Sequence, residues 1–147
     1  MAKIVVGLDG SVPSRQALKW AVAEAAAHGA PLEVVAVHQV AIDSWGMAPV
    51  RTAADEPERA KVQAAAQQIV DGVVAEAGPN VPPSVQVIAV TGIPAETLVE
   101  VSRDADQLIV GSHGAAGFGR SLVGTVTSRV VHHAVCPVTI IPVRKKN

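Results

Sequence analysis

Five of the chain's 12 glycines fall between Val110 and Thr127, at Gly111, Gly114, Gly117, Gly119 and Gly124. The segment follows directly on the apolar run Leu108-Ile109-Val110 and closes on Gly124-Thr125-Val126-Thr127. Glycines after a buried strand permit positive φ angles and let bare N–H groups approach an anion closely. Hydroxyls and unpaired N–H groups at a helix start add donors, and the helix dipole favours negative charge there. Gly111, Ser112, His113, Gly114, Gly124, Thr125, Val126 and Thr127 are therefore candidates for a phosphate cradle. A glycine-rich connection that merely turns the chain uses the same residue types, so residue chemistry alone leaves both readings open. The segment is not a P-loop, because GxxxxGK is absent and no lysine follows the final glycine. The first strand likewise lacks a following G-x-G-x-x-G.

Asp9 closes the first apolar run, Ile4-Val5-Val6-Gly7-Leu8, and precedes Gly10-Ser11. A carboxylate in that place either caps its own turn or faces a ligand at the strand end. Its place in the expected crevice favours the ligand. His113 in a glycine loop reads as a solvated or locally bonded ring rather than a general base. His132 and His133 project about 100° apart on a helix and so do not form the i, i+4 zinc pair. Cys136 before Pro137 reads as a small buried residue. No catalytic residue and no metal ligand is assigned.

The elements that must position these residues follow from hydrophobic periodicity. Strands are expected at Ile4–Leu8, Leu32–Val40, Val85–Val90, Leu108–Val110 and Val138–Val143, each rich in β-branched residues. Helices are expected between them. The first starts at Ser11-Val12-Pro13 and stops at Gly29, and the second spans 58–77. A short third helix follows Gly92-Ile93-Pro94, and a last one runs from Gly124 to His133. Residues 41–57 hold Gly46, Pro49 and Pro57 and are expected to be a mobile loop, with Trp45 and Met47 able to fold over a ligand. The order βαβαβαβαβ predicts a single-domain α/β protein, residues 1–147, with a five-stranded parallel sheet and helices on both faces. Ligands in that architecture bind at the carboxyl ends of the strands, where the strand order reverses.

Composition narrows the function classes. The 147 residues are 49% hydrophobic and 17% charged, which excludes a disordered chain. Twelve Lys and Arg balance 13 Asp and Glu to a net charge of −1, leaving no field to steer nucleic acid or an anionic membrane. Trp20, Trp45 and Phe118 are too few for a base-stacking platform. A lone cysteine forms no internal disulfide and suits a reducing compartment. A cytoplasmic location is expected.

The spacing Gly111-x2-Gly114-x9-Gly124-Thr125 resembles the G-x2-G-x9-G-S/T signature of the ATP-binding branch of the universal stress proteins. Ile4–Ser11 resembles that family's first strand and turn, and Ala36–Val40 its second strand. Val90–Pro94 resembles its third-strand exit and Cys136-Pro137-Val138 its last-strand entry. The resemblance implies a Rossmann-like fold of the adenine nucleotide alpha hydrolase type, with ATP and Mg²⁺ across the strand ends. It places Asp9 by the ribose and the Mg-phosphate region and the backbone at Gln39 by the adenine. Gly111, Gly114, Gly124, Thr125 and Thr127 would hold ribose and phosphates, with Ser112, His113 and Val126 beside them. The polar Gln39 stands where the family often has an aliphatic residue. The function implied is a nucleotide-dependent binding switch in stress response that also meets a protein partner. Alternatives are a cyclic AMP-binding member, or a weak ATPase or nucleotidyl transferase. Val138–Val143, an apolar terminal strand, is expected to pair a homodimer, as the resembled family does.

Overall fold

β-branched runs alternate with alanine-rich or amphipathic helical stretches, and each run becomes a strand. In the computed structural model, which describes residues 3–113 and 124–143, the chain opens with β1 (Ile4–Gly7), α1 (Val12–His28) and β2 (Leu32–Gln39). A two-stranded hairpin, β3 (Ala41–Ile42) and β4 (Pro49–Val50), leads into α2 (Asp55–Ala77). There follow β5 (Val85–Gly92), α3 (Pro94–Val101), β6 (Gln107–Gly111), α4 (Thr125–His133) and β7 (Val138–Ile141). The main sheet has the order β5-β2-β1-β6-β7, with every neighbour parallel. The fold is thus the expected α/β arrangement, and its strand order reverses between β1 and β6.

The period of two along β1 divides the core. Ile4, Val6 and Leu8 pack with Leu18, Val22 and Ala25 of α1 and Ala66 and Val70 of α2 on one face. Val5 packs on the other, with Ala95 and Leu98 of α3 and Val130 of α4. β1 is buried throughout, as a central strand covered on both faces must be.

Local chemistry sets the boundaries. Ser11 caps α1 through its hydroxyl, which accepts from the Ser14 N–H, and Pro13 sits in the first turn. Gly29 ends α1 in the left-handed region at φ 61°. α2 begins at Asp55 rather than at 58 because Pro57 falls in its first turn, where a missing N–H costs no helical bond. β7 stops at Ile141, before Pro142, which has no N–H to donate.

Residues 41–57 differ from the expected loop. Residues 41–50 form the hairpin and 55–57 the start of α2; the hairpin turn is organised by Asp43. Its carboxylate accepts from the Met47 N–H at 2.9 Å, and its own N–H donates to the Ala48 carbonyl at 2.9 Å. Gly46 supplies the left-handed residue at φ 70°. Trp45 and Met47 are 84% and 85% exposed at its tip.

Candidate functional site

The reversal between β1 and β6 leaves a cleft of about 360 Å³ over the carboxyl ends of β1, β2 and β6. Eight of the ten residues expected at the site line it: Asp9, Gln39, Gly111, His113, Gly124, Thr125, Val126 and Thr127. Ser112 is not among the lining residues, and Gly114 lies outside the described residues. Two depressions of similar volume flank β5, but neither holds any of the expected residues.

Asp9 sits at the turn after β1. Its Oδ1 accepts from the Ser11 N–H at 2.9 Å and from the Ser11 hydroxyl in a short bond. Its own N–H donates to the Ser14 hydroxyl at 3.2 Å, and that hydroxyl donates to the Ser11 carbonyl at 3.0 Å. Gly10 between them adopts φ 83°, which a side chain would strain. The carboxylate thus does both things open to it: it fixes the turn into α1 and lines the cleft.

Gly111 is required for a reason the sequence did not offer. It does not adopt a positive φ. A Cβ there would stand 2.9 Å from the Pro13 carbonyl carbon and 3.0 Å from its oxygen. The glycine lets the first turn of α1 lie against the end of β6.

The other wall is the start of α4. The Gly124 N–H donates to the Ser112 carbonyl at 2.7 Å, and the Ser112 N–H donates to the Ile141 carbonyl at 3.1 Å. Ser112 is therefore buried scaffolding that joins β6, β7 and α4, which is why it does not face the cleft. Its hydroxyl meets Nδ1 of His113 at 3.1 Å. Thr127 is also buried, and its hydroxyl donates to the Gly111 carbonyl at 2.8 Å. Gly124 offers no side-chain cap to α4. Among the described residues nothing accepts from the N–H groups of Thr125, Val126 and Thr127. Those donors and the positive end of the helix dipole form one wall.

Val35, Val37, Pro94 and Leu98 supply an apolar wall. These residues and Ser14 were not expected at the site. Valines in a buried strand and a leucine on a short helix look like core, and only the fold shows that they also bound a cavity. Trp45 and Met47 do not line the cleft. No group of three or more His, Cys, Asp and Glu among the described residues is placed to hold a metal. No helix among them is long and apolar enough to cross a membrane.

A family model described as "Universal stress protein family" matches residues 1–142. The chain belongs to the universal stress protein family. A universal stress protein of Mycobacterium tuberculosis is 33% identical over 141 residues, covering 94% of this chain and 47% of the relative. One from Mycolicibacterium smegmatis is 30% identical over 142 residues, with coverages of 94% and 47%. The chain spans about half the length of these curated relatives. Among solved structures, a universal stress protein from Lactobacillus plantarum superposes with a TM-score of 0.72 at 26% identity, covering 95% of this chain and 97% of that one. A universal stress protein crystallised in complex with cAMP gives a TM-score of 0.69 at 26% identity, with coverages of 96% and 97%.

Proposed function

We propose that the cleft binds an adenine nucleotide, ATP with Mg²⁺, and that the domain works as a nucleotide-dependent binding switch. The observation that carries this is the division of the cleft. One wall is apolar, with Val35, Val37, Pro94 and Leu98, and suits a flat heteroaromatic base. Another part of the lining is the uncapped start of α4, which suits phosphate. Asp9, Gln39 and Gly111 line the rest of the cleft, and Thr125 presents its hydroxyl at the α4 wall. The similar structure described as a complex with cAMP supports the adenine assignment. Oxygen ligands suit Mg²⁺, which takes few protein carboxylates and relies on phosphates and water, so Asp9 and Thr125 are compatible with holding it. When bound, the ion would neutralise phosphate charge.

Switching needs a structural response to ligand, because a ligand shifts a conformation only by binding one state better. Gln39 lines the cleft, and two residues later the chain enters the β3–β4 hairpin. Ligand at Gln39 is thus next to a hairpin carrying exposed Trp45 and Met47, a surface fit for a protein partner. The proposed homodimer pairs through β7, an edge that no other strand covers among the described residues.

The test is mass spectrometry of nucleotide released from freshly purified protein, followed by calorimetric titration with ATP, Mg-ATP and cyclic AMP. Hydrogen exchange in residues 41–57 should slow when ATP binds. Tighter binding of cyclic AMP than of ATP would favour the cyclic AMP alternative, and failure of both to bind would refute the nucleotide reading.

A further inference from the structure

The sheet has two edges, and they are treated differently. On β5 the Ser84 and Gly92 carbonyls accept from Leu32 and Val40, so the even-numbered groups face β2 and the odd-numbered ones face outward. An exposed row of outward N–H and C=O groups is a template for any extended segment. On β5 that row is taken by side chains of α2. The Gln63 amide donates to the Val87 carbonyl at 2.7 Å and accepts from the Ala89 N–H at 2.7 Å. It fills the place a neighbouring strand would take. The Arg59 guanidinium adds a bond from Nη1 to the Ala89 carbonyl at 3.2 Å. Glu56 holds that guanidinium from the far side, accepting from Nε at 2.9 Å and from Nη2 at 2.7 Å. Three consecutive outward groups in the middle of β5 are thereby spent.

β7 has no such cover. Leu108 and Ser112 donate to the Pro137 and Ile141 carbonyls, so Val138 and Ile140 face outward. Among the described residues no side chain bonds their backbone.

We propose that Gln63 and Arg59 are an edge guard: they deny β5 to added strands and so confine edge pairing of this sheet to β7. The geometry of assembly gives this a function. Pairing β7 with β7 of a second copy is isologous and closes on itself. Pairing β7 with β5 is heterologous and extends the parallel sheet from copy to copy, open-ended unless the rotation closes it into a ring. The guard suppresses the open-ended mode. It does not depend on whether the cleft binds nucleotide.

The variant to make is Arg59→Ala with Gln63→Met, which removes both bonding groups and keeps an unbranched, helix-favouring side chain at 63. Gln67→Ala is the control, because Gln67 bonds Asp71 on the same helix and not β5. Hydrogen exchange should show the Ala89 amide slow in the wild type and about tenfold faster in the variant, with β1 unchanged. Sedimentation velocity from micromolar to submillimolar protein should show the variant growing beyond the largest wild-type species, while the control does not. A folded variant with a freed Ala89 amide and the wild-type size distribution overturns the proposal. So does fast exchange of the Ala89 amide in the wild type, which needs no variant. If the double substitution unfolds the chain, Gln63→Met alone, with Arg59 retained, is judged by the same two readouts.

Discussion

The hydroxyl of Thr127 donates a 2.8 Å hydrogen bond to the carbonyl of Gly111, tying the first turn of α4 to the end of β6. Thr127 is only 4% exposed, so this bond is out of reach of solvent. Two residues earlier, Thr125 lies exposed at the cleft. One threonine therefore holds the wall in place, and the other faces whatever binds.

This division predicts opposite phenotypes. Thr127→Val keeps the shape but leaves the Gly111 carbonyl buried without its donor, which costs about 1–3 kcal/mol. Urea unfolding should show a lower midpoint at unchanged slope. Thr125→Ala should leave stability within about 0.5 kcal/mol. Under the nucleotide reading it removes a hydrogen bond to a charged group, worth about 1.5–3 kcal/mol. That is roughly a ten- to hundredfold weaker affinity for ATP by calorimetry. Equal stability losses in the two variants would contradict the assignment.

Gly111→Ala tests the contact with α1. The new methyl group would meet the Pro13 backbone at 2.9–3.0 Å, and backbone cannot rotate aside as a side-chain tip can. Overpacking of this kind costs about 1–3 kcal/mol. In a domain of this size each kcal/mol lowers Tm by roughly 2–4 °C. Gly10→Ala meets nothing within 4 Å and pays only for its φ of 83°, about 1–2 kcal/mol. Calorimetric melting of both variants separates crowding from backbone strain, since a further substitution to Ser should worsen only position 111.

The large features of this domain were legible because they are repetitive. Five β-branched runs separated by helical stretches imply a parallel sheet, and Asp9 and Gly111 at two strand ends imply a site between them. What escaped was set by single contacts. The β3 and β4 strands are two residues each, too short for a period of two to show. Gly111 answers to Pro13, nearly a hundred residues away, and nothing local announces that partner. Val37 and Leu98 read as core because lining a cavity needs the same apolar side chains. Gln63 on a helix carries no sign that it will take the place of a strand.

Acid should loosen the hairpin and the start of α2 before the rest. The Asp55 carboxyl is held below its ordinary value of 3.8, first by the Thr52 N–H at 2.8 Å and then by His38, whose Nε2 lies 3.1 Å from Oδ1. Asp43 is held low by the Met47 N–H, and Glu56 by Arg59. A carboxyl with a lowered folded-state pKa stabilises above its unfolded value, and that stabilisation fades as pH falls through the ordinary value towards the folded one. Hydrogen exchange through residues 41–60 should therefore accelerate as pH drops below about 4, after correction for intrinsic rates, while β1 stays protected. Asp55→Asn should flatten the dependence near His38 without changing it elsewhere. A uniform response along the chain would defeat this prediction.

Binding rather than turnover is expected to define the nucleotide site. Stabilising a transferring phosphoryl group takes cationic groups aimed at its oxygens and a residue that orients the attacking water. Among the described residues lining the cleft there is no lysine or arginine. Asp9 already accepts two hydrogen bonds from Ser11 through Oδ1, and Nδ1 of His113 is engaged with the Ser112 hydroxyl at 3.1 Å. Among the described residues the donors on offer are the N–H groups at the start of α4 and the Thr125 hydroxyl, which meet ground-state phosphate and transition state alike. Uniform binding of that kind improves affinity without accelerating the chemical step. Protein loaded with radiolabelled Mg-ATP and chased with unlabelled nucleotide should therefore release intact ATP. Mutating His113 to Ala should change neither the fraction released as ATP nor its rate by more than a few-fold. If ADP instead forms faster than ATP dissociates, and His113→Ala abolishes it, the site is an ATPase and the switch reading fails.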